Sequence, residues 1–285
     1  MRCAPHCDTL GRAAEFVVAH GLNLPLFAGA FAGSTSHTME IMNETFLAGQ
    51  TALVTGATRG IGFAIARALA VAGATVAICG RDKDGLQAAV SRLTNESRGK
   101  VVGKVADVRE STEVEALFDW IDSEVVDSAA GGPGILVNNA GVGIMKNAAE
   151  LTVKDWQKTI ETNLSAAFYC SREALRRMIN RDGGYIINIG SLAGKSAFAG
   201  GAAYNASKFG LNGFSEAMML DHRYDNVRVT HIMPGSVDTG FGGGSANADW
   251  KIAPEDIGEI VLMLLRMPRR TLVSQVEVRP AKPRK

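Results

Sequence analysis

From Gln50 onward, short apolar runs rich in β-branched residues alternate with stretches whose apolar positions recur at helical spacing. The pattern predicts strands over Thr51–Thr55, Thr75–Cys79, Val101–Val105, Ile135–Asn138, Tyr185–Ile189, Val227–Met233 and Gln275–Val278. It predicts helices near 61–72, 83–96, 111–127, 152–181, 203–224 and 254–266. The strands read as continuous Val/Ile runs, the pattern of strands buried on both faces, so a parallel sheet covered by helices is expected. Right-handed crossovers then give an α/β fold, a single doubly wound Rossmann-type domain with a parallel seven-stranded sheet. Its ligand sites should lie at the carboxyl ends of the strands.

Residues 1–45 lack sustained periodicity, and Met39 and Met42 lie just before the regular pattern starts. That segment reads as a dispensable leader or an early start, with a transit peptide as the alternative, and the catalytic domain as 46–285. Composition removes several function classes. With 30 Lys+Arg against 29 Asp+Glu the chain is nearly neutral, and no basic stripe interleaved with aromatics points to a nucleic acid. The basic run Arg279–Lys285 reads as a solvated tail. No stretch is apolar enough to span a bilayer. Four scattered cysteines make no disulfide framework. Cys79 and Cys170 fall in apolar patterns, as small core residues of a cytoplasmic protein would. Cys3 and Cys7 flank His6 without a second ligand pair, so no metal is expected.

The first strand ends in Thr55-Gly56-Ala57-Thr58-Arg59-Gly60-Ile61-Gly62 and runs directly into a helix. Glycines there let the backbone approach a pyrophosphate resting on the helix N-terminus. Further motifs follow in order: Asn138-Asn139-Ala140-Gly141 after the fourth strand, Asn163 at a predicted helix start, and Ser191 after the fifth strand. Tyr204-x-x-x-Lys208 then opens a helix, and Pro234-Gly235 closes the sixth strand. Tyr204 and Lys208 share a helix face. An ammonium beside a phenol favours the phenolate, so a lowered Tyr204 pKa is expected. Such a phenol can exchange a proton with a carbonyl oxygen, and Ser191 can donate a second bond to it.

In order and spacing these motifs resemble the short-chain dehydrogenase/reductases over about residues 47–279. The resemblance implies strand order 3-2-1-4-5-6-7, and hydride transfer between a nicotinamide and a carbonyl or alcohol carbon. Its implied catalytic residues are Asn163, Ser191, Tyr204 and Lys208, with Lys208 also on the nicotinamide ribose and Asn163 anchoring a water chain. Its implied cofactor residues are Gly56, Thr58, Arg59, Gly60, Ile61, Gly62, Arg81, Asp107, Val108, Asn138, Ala140, Gly141, Tyr204, Lys208, Pro234, Gly235, Val237 and Thr239. A homodimer or homotetramer is implied too, pairing the helices of 152–181 and 203–224, with Phe214, Met218 and Met219 as apolar contact.

Cofactor choice rests on the second strand, where Gly80 and Arg81 stand in place of the acid that bonds a free ribose in NAD enzymes. Arg59 and Arg81 are expected to meet the 2′-phosphate of NADP (NADPH), while Asp82 is expected to cap the next helix. The segment Val237–Trp250 should form a lid, with Ala193, Phe198, Phe241 and Ile144 around an apolar substrate pocket. The helices and glycine loop are most similar to 3-ketoacyl-carrier-protein reductases. Gly194–Gly201 and the Val276–Pro280 ending depart from that pattern and lean toward reductases of 3-hydroxy acids and small alcohols. The expected reaction is NADPH-dependent reduction of a 3-oxoacyl or related small ketone. Dehydrogenation of a 3-hydroxy acid or small alcohol is the alternative, and a non-catalytic NADP-binding sensor is a different class.

Overall fold

The computed structural model describes residues 45–97, 99–126, 131–181, 183–243 and 248–283. The expected leader, the Cys3–His6–Cys7 cluster and Gly244 of the lid lie outside the described residues.

Each buried strand splits its side chains between two apolar layers. Ala52 and Val54 of β1 (Thr51–Thr55) join one layer, and Leu53 the other. Val76 and Ile78 of β2 (Thr75–Gly80) separate in the same way from Ala77 and Cys79. Period-two alternation with both faces apolar requires a helical layer on each side. The first side is supplied by α1 (Gly60–Val71), α2 (Lys83–Glu96) and α7 (Pro254–Arg266) through Ile65, Leu69, Leu93 and Ile257. The second is supplied by α3 (Ser111–Trp120), α5 (Ala166–Met178) and α6 (Ala202–His222) through Phe118, Cys170, Met178 and Met218. With β3 (Val101–Val105), β4 (Ile135–Asn138), β5 (Gly184–Ile189), β6 (Val227–Pro234) and β7 (Gln275–Val278), the sheet has seven strands in the order β3-β2-β1-β4-β5-β6-β7. Every pairing is parallel. The strand order reverses between β1 and β4, which opens a crevice at their carboxyl ends.

Two expectations need correction. The helix predicted over 152–181 is α4 (Val153–Ile160), a π-helical turn (Glu161–Ser165) and α5, so Asn163 sits inside a helix rather than at its start. Another π-helical turn, Ile121–Val125, extends α3. Ahead of β1 the described residues open with a turn over residues 45–49. There Leu47 is buried, Phe46 packs on the core, and Leu47 N–H bonds Ala72 O at 2.9 Å. Finally, Met218 is buried and so is not part of the outer apolar surface, whereas Phe214 and Met219 are half-buried and Phe214 meets the exposed Phe168 edge-on, ring centres 6.1 Å apart. Phe168, Phe209 and Leu220, on the same two helices, are the exposed groups. Among the described residues, no helix is long and apolar enough to cross a membrane, and no group of His, Cys, Asp or Glu could hold a metal ion.

Candidate active site

A cleft of about 1090 Å³ opens along the carboxyl ends of β1, β2, β4, β5 and β6. The glycine loop forms its floor. Gly56 and Gly60 have φ of +63° and +59°, the left-handed region that glycine tolerates. A Cβ on Gly56 would lie 2.8 Å from Ala140 Cα, so the loop passes the β4 end at backbone contact. Arg59, the residue before α1, is extended, and its side chain caps no helical N–H. The N-terminus of α1 therefore faces the cleft without a side-chain cap, as an anion site requires.

Thr58, Arg59, Gly60 and Ile61 line this floor, and Arg81, Asp107 and Val108 the adjoining wall. Asp82 also lines the cleft, and its carboxylate accepts from Gly85 N–H at 3.0 Å, as a helix cap does. The Asp107 carboxylate is gripped by the Arg109 guanidinium, which holds it below its ordinary pKa. Ala140, Gly141, Pro234, Gly235, Val237 and Thr239 complete the expected set along the far wall.

Not every expected residue lines the cleft. Asn138 falls on the face of β4 that looks toward α5. Its Nδ2 donates to Ser171 Oγ at 2.9 Å and Asn188 Oδ1 at 2.8 Å, inside the molecule. Its neighbour Asn139 lines the cleft instead, tying the loop down through Nδ2 to the carbonyls of Thr55 and Gly56, both at 3.0 Å. Buried Thr55 accepts from the N–H groups of Asn139 and Ala140. Thr55 and Asn139 escaped the sequence reading. The signal available was parity, since adjacent residues at a strand end point to opposite faces. Gly62 is absent from the lining; a Cβ there would lie 2.3 Å from Asn139 Nδ2, so it serves loop packing. Ala193 is buried behind Ser191, and neither it nor Ile144 nor Phe198 lines the cleft, whereas Phe241 does.

Ser191, Tyr204 and Lys208 meet at the cleft's inner end. Ser191 follows β5 and its Oγ accepts from Ala193 N–H at 3.1 Å. The same hydroxyl faces the Tyr204 phenol and favours its charged form. Lys208, one helical turn beyond Tyr204 on α6, donates from Nζ to Ile189 O at 2.9 Å. Its Nζ lies 5.8 Å from the Tyr204 ring centre. Contrary to the expectation of a lowered phenol pKa, burial pushes Tyr204 up, opposed by the Ser191 hydroxyl. Burial also pulls the Lys208 ammonium down to about 8. Desolvation disfavours both charged forms, and it outweighs the attraction expected between them.

Asn163 projects from the π-helical turn. Its Oδ1 accepts from Val142 N–H at 2.8 Å, and its Nδ2 donates to Val142 O and Ser207 Oγ, both at 3.0 Å. It does not line the cleft; Thr162 beside it does. The π turn swings this side chain inward to brace the segment after β4 that forms the cleft wall.

A left-handed glycine loop, an uncapped helix N-terminus and a Ser–Tyr–Lys cluster on a doubly wound sheet define a dinucleotide-dependent oxidoreductase site. The family model for short chain dehydrogenase matches residues 50–249. An uncharacterized oxidoreductase of Staphylococcus aureus is 33% identical over 237 residues, 83% of this chain and 99% of its own. Among solved structures, an alcohol dehydrogenase from the archaeon Thermococcus sibiricus complexed with 5-hydroxy-NADP gives a TM-score of 0.75 at 28% identity, covering 83% of this chain and 98% of its own. A variant of actinorhodin polyketide ketoreductase with NADPH gives 0.72 at 30% identity, covering 81% and 96%. The chain belongs to the short-chain dehydrogenase family, and it is an oxidoreductase with a nicotinamide-cofactor fold.

Proposed function

We propose that this enzyme reduces the carbonyl of a 3-oxoacyl substrate or related small ketone with NADPH. The observation that carries the reading is the meeting of Tyr204, Ser191 and Lys208 in the cleft whose floor is the glycine loop. The bound nicotinamide supplies the hydride. As negative charge develops on the substrate oxygen, Tyr204 gives it a proton and Ser191 donates a second hydrogen bond. A phenol shifted upward from its ordinary value holds its proton at neutral pH, the form that donates. Lys208 is assigned to the ribose, and Asn163 positions the wall at Val142. The buried, free Cys79 and Cys170 fit a cytoplasmic enzyme. The exposed Phe168, Phe209 and Leu220 fit a homodimer or tetramer.

NADP is preferred in this reading because Asp82 is engaged as a helix cap, while Arg59 and Arg81 are exposed cations on the cleft wall. A guanidinium pairs with a phosphate through charge-assisted bonds. Following NADPH oxidation over a ketone panel tests the reaction. Comparing kcat/KM for NADPH and NADH tests the cofactor, and a preference for NADH would overturn the arginine assignment. Arg81→Ala should weaken NADPH about tenfold, since a charged hydrogen bond at an exposed rim is worth about 1.5 kcal/mol, and leave NADH binding nearly unchanged. Substituting Gly80 with an acid is a poorer test, because a Cβ there would lie 2.9 Å from Thr58 Cγ2 and shift the loop itself.

A further inference from the structure

Two phenylalanines from separate segments flank the Tyr204 ring, Phe241 from the cleft lining and Phe198 from just outside it. Phe198, in the connection between β5 and α6, has its ring centre 6.5 Å from that of Tyr204, at an interplanar angle of 52°. Phe241, after β6, lies 6.0 Å away at 51°. Met145, after β4, approaches Phe241 across Gly143. A Cβ on Gly143 would lie 2.7 Å from Phe241 Cε1 and 3.1 Å from Met145 Cε. Gly143 is the small floor that lets both side chains come together. Met145, Phe198 and Phe241 are 42%, 45% and 46% exposed. Exposed apolar groups gathered beside a proton donor mark a ligand surface rather than core.

Phe198 is held in place. Its carbonyl accepts from Asn205 Nδ2 at 3.1 Å, and its ring lies over Gly201, where a Cβ would come within 2.7 Å. Phe241 sits between Gly240 and Gly242, with φ of +66° and +67°, in a turn that only glycines adopt cheaply. The cations on the flanking segments already have carboxylate partners. Lys146 bonds Asp155 at 2.8 Å, and Lys195 bonds Glu277. The two rings themselves present apolar faces, which an apolar substituent gains more from covering than a carboxylate does.

We infer that this collar selects, among ketones, those whose carbonyl carries a flat apolar group, an aryl ketone being the simplest, and discriminates against 3-oxo acids; the inference rests on the carbonyl reduction proposed above. Two aromatic rings near the proton donor can each take the edge or face of a substrate ring, which gains beyond simple burial.

The test is kcat/KM with NADPH for acetophenone, butan-2-one and acetoacetate. Acetophenone should exceed both others by about tenfold or more, a difference of about 1.4 kcal/mol. Phe198→Ala and Phe241→Ala should each lower the ratio of acetophenone to butan-2-one by several-fold, mainly through KM. Phe241→Leu should lose less, and Gly143→Ala, which wedges Phe241 from Met145, should lower the ratio as well. Equal or better turnover of butan-2-one or acetoacetate would overturn the inference. So would phenylalanine variants that slow all three substrates alike. No turnover of any ketone would overturn carbonyl reduction itself, and the collar's role with it.

Discussion

Tyr204 and His231 show how burial acts on single residues here. Tyr204→Phe keeps the ring and its packing and removes the proton, so turnover should fall by about two to four decades while cofactor binding, read by NADPH fluorescence, persists. Near-normal turnover in a folded variant would refute the donor assignment. His231, on β6, is buried, and both its ring nitrogens lack a hydrogen-bond partner. Burial, aided by the positive Lys208, pulls its pKa from 6.5 down to about 4. The unfolded chain therefore binds a proton below about pH 6.5 that the folded chain refuses until about pH 4. Stability is full above the unfolded pKa and declines as pH falls through that window, by about 2 kcal/mol between pH 7 and pH 5. Thermal melts at those two pH values should show the loss, and His231→Gln should shrink it. An unchanged difference in the variant would mean that another group carries the proton.

At the scale of elements, the turn over residues 45–49 comes first among the described residues. A protein beginning at Met39 keeps Phe46 and Leu47 and should fold and bind cofactor normally. One beginning at Gln50 loses the buried Leu47 side chain and its backbone bond to Ala72. Removing a buried leucine costs about 2–5 kcal/mol, so its melting temperature should fall by several degrees. Equal melting of the two proteins would show the turn to be dispensable. Periodicity located the strands to within a residue at either end, because apolar runs bounded by turns have few alternatives. It missed the π-helical turns, since one extra residue per turn leaves no mark in a 3.6-residue pattern that is read over a long helix.

For the whole molecule, assembly is the open consequence of the surface. Phe168 and Phe209 are each nearly half exposed and Leu220 more than half, apolar area that a contact between copies would cover. Light scattering at micromolar concentration should give a dimer or tetramer, and Phe168→Glu with Leu220→Glu should shift it toward monomer. A monomer from the unmodified protein would contradict the assignment of this face. The sequence by itself determined the doubly wound class, the parallel sheet and the glycine loop. Those features are local or periodic, written in β-branched runs, helical spacing and glycines at a strand end. Only tertiary structure decided which of Asn138 and Asn139 faces the cleft, that Asn163 braces Val142, and that Met218 packs inward while Phe168 and Phe209 face outward. It also decided the sign of the Tyr204 shift. The chain order brings a lysine within reach of the phenol, but whether attraction or desolvation wins depends on how much water the folded cleft leaves around both groups.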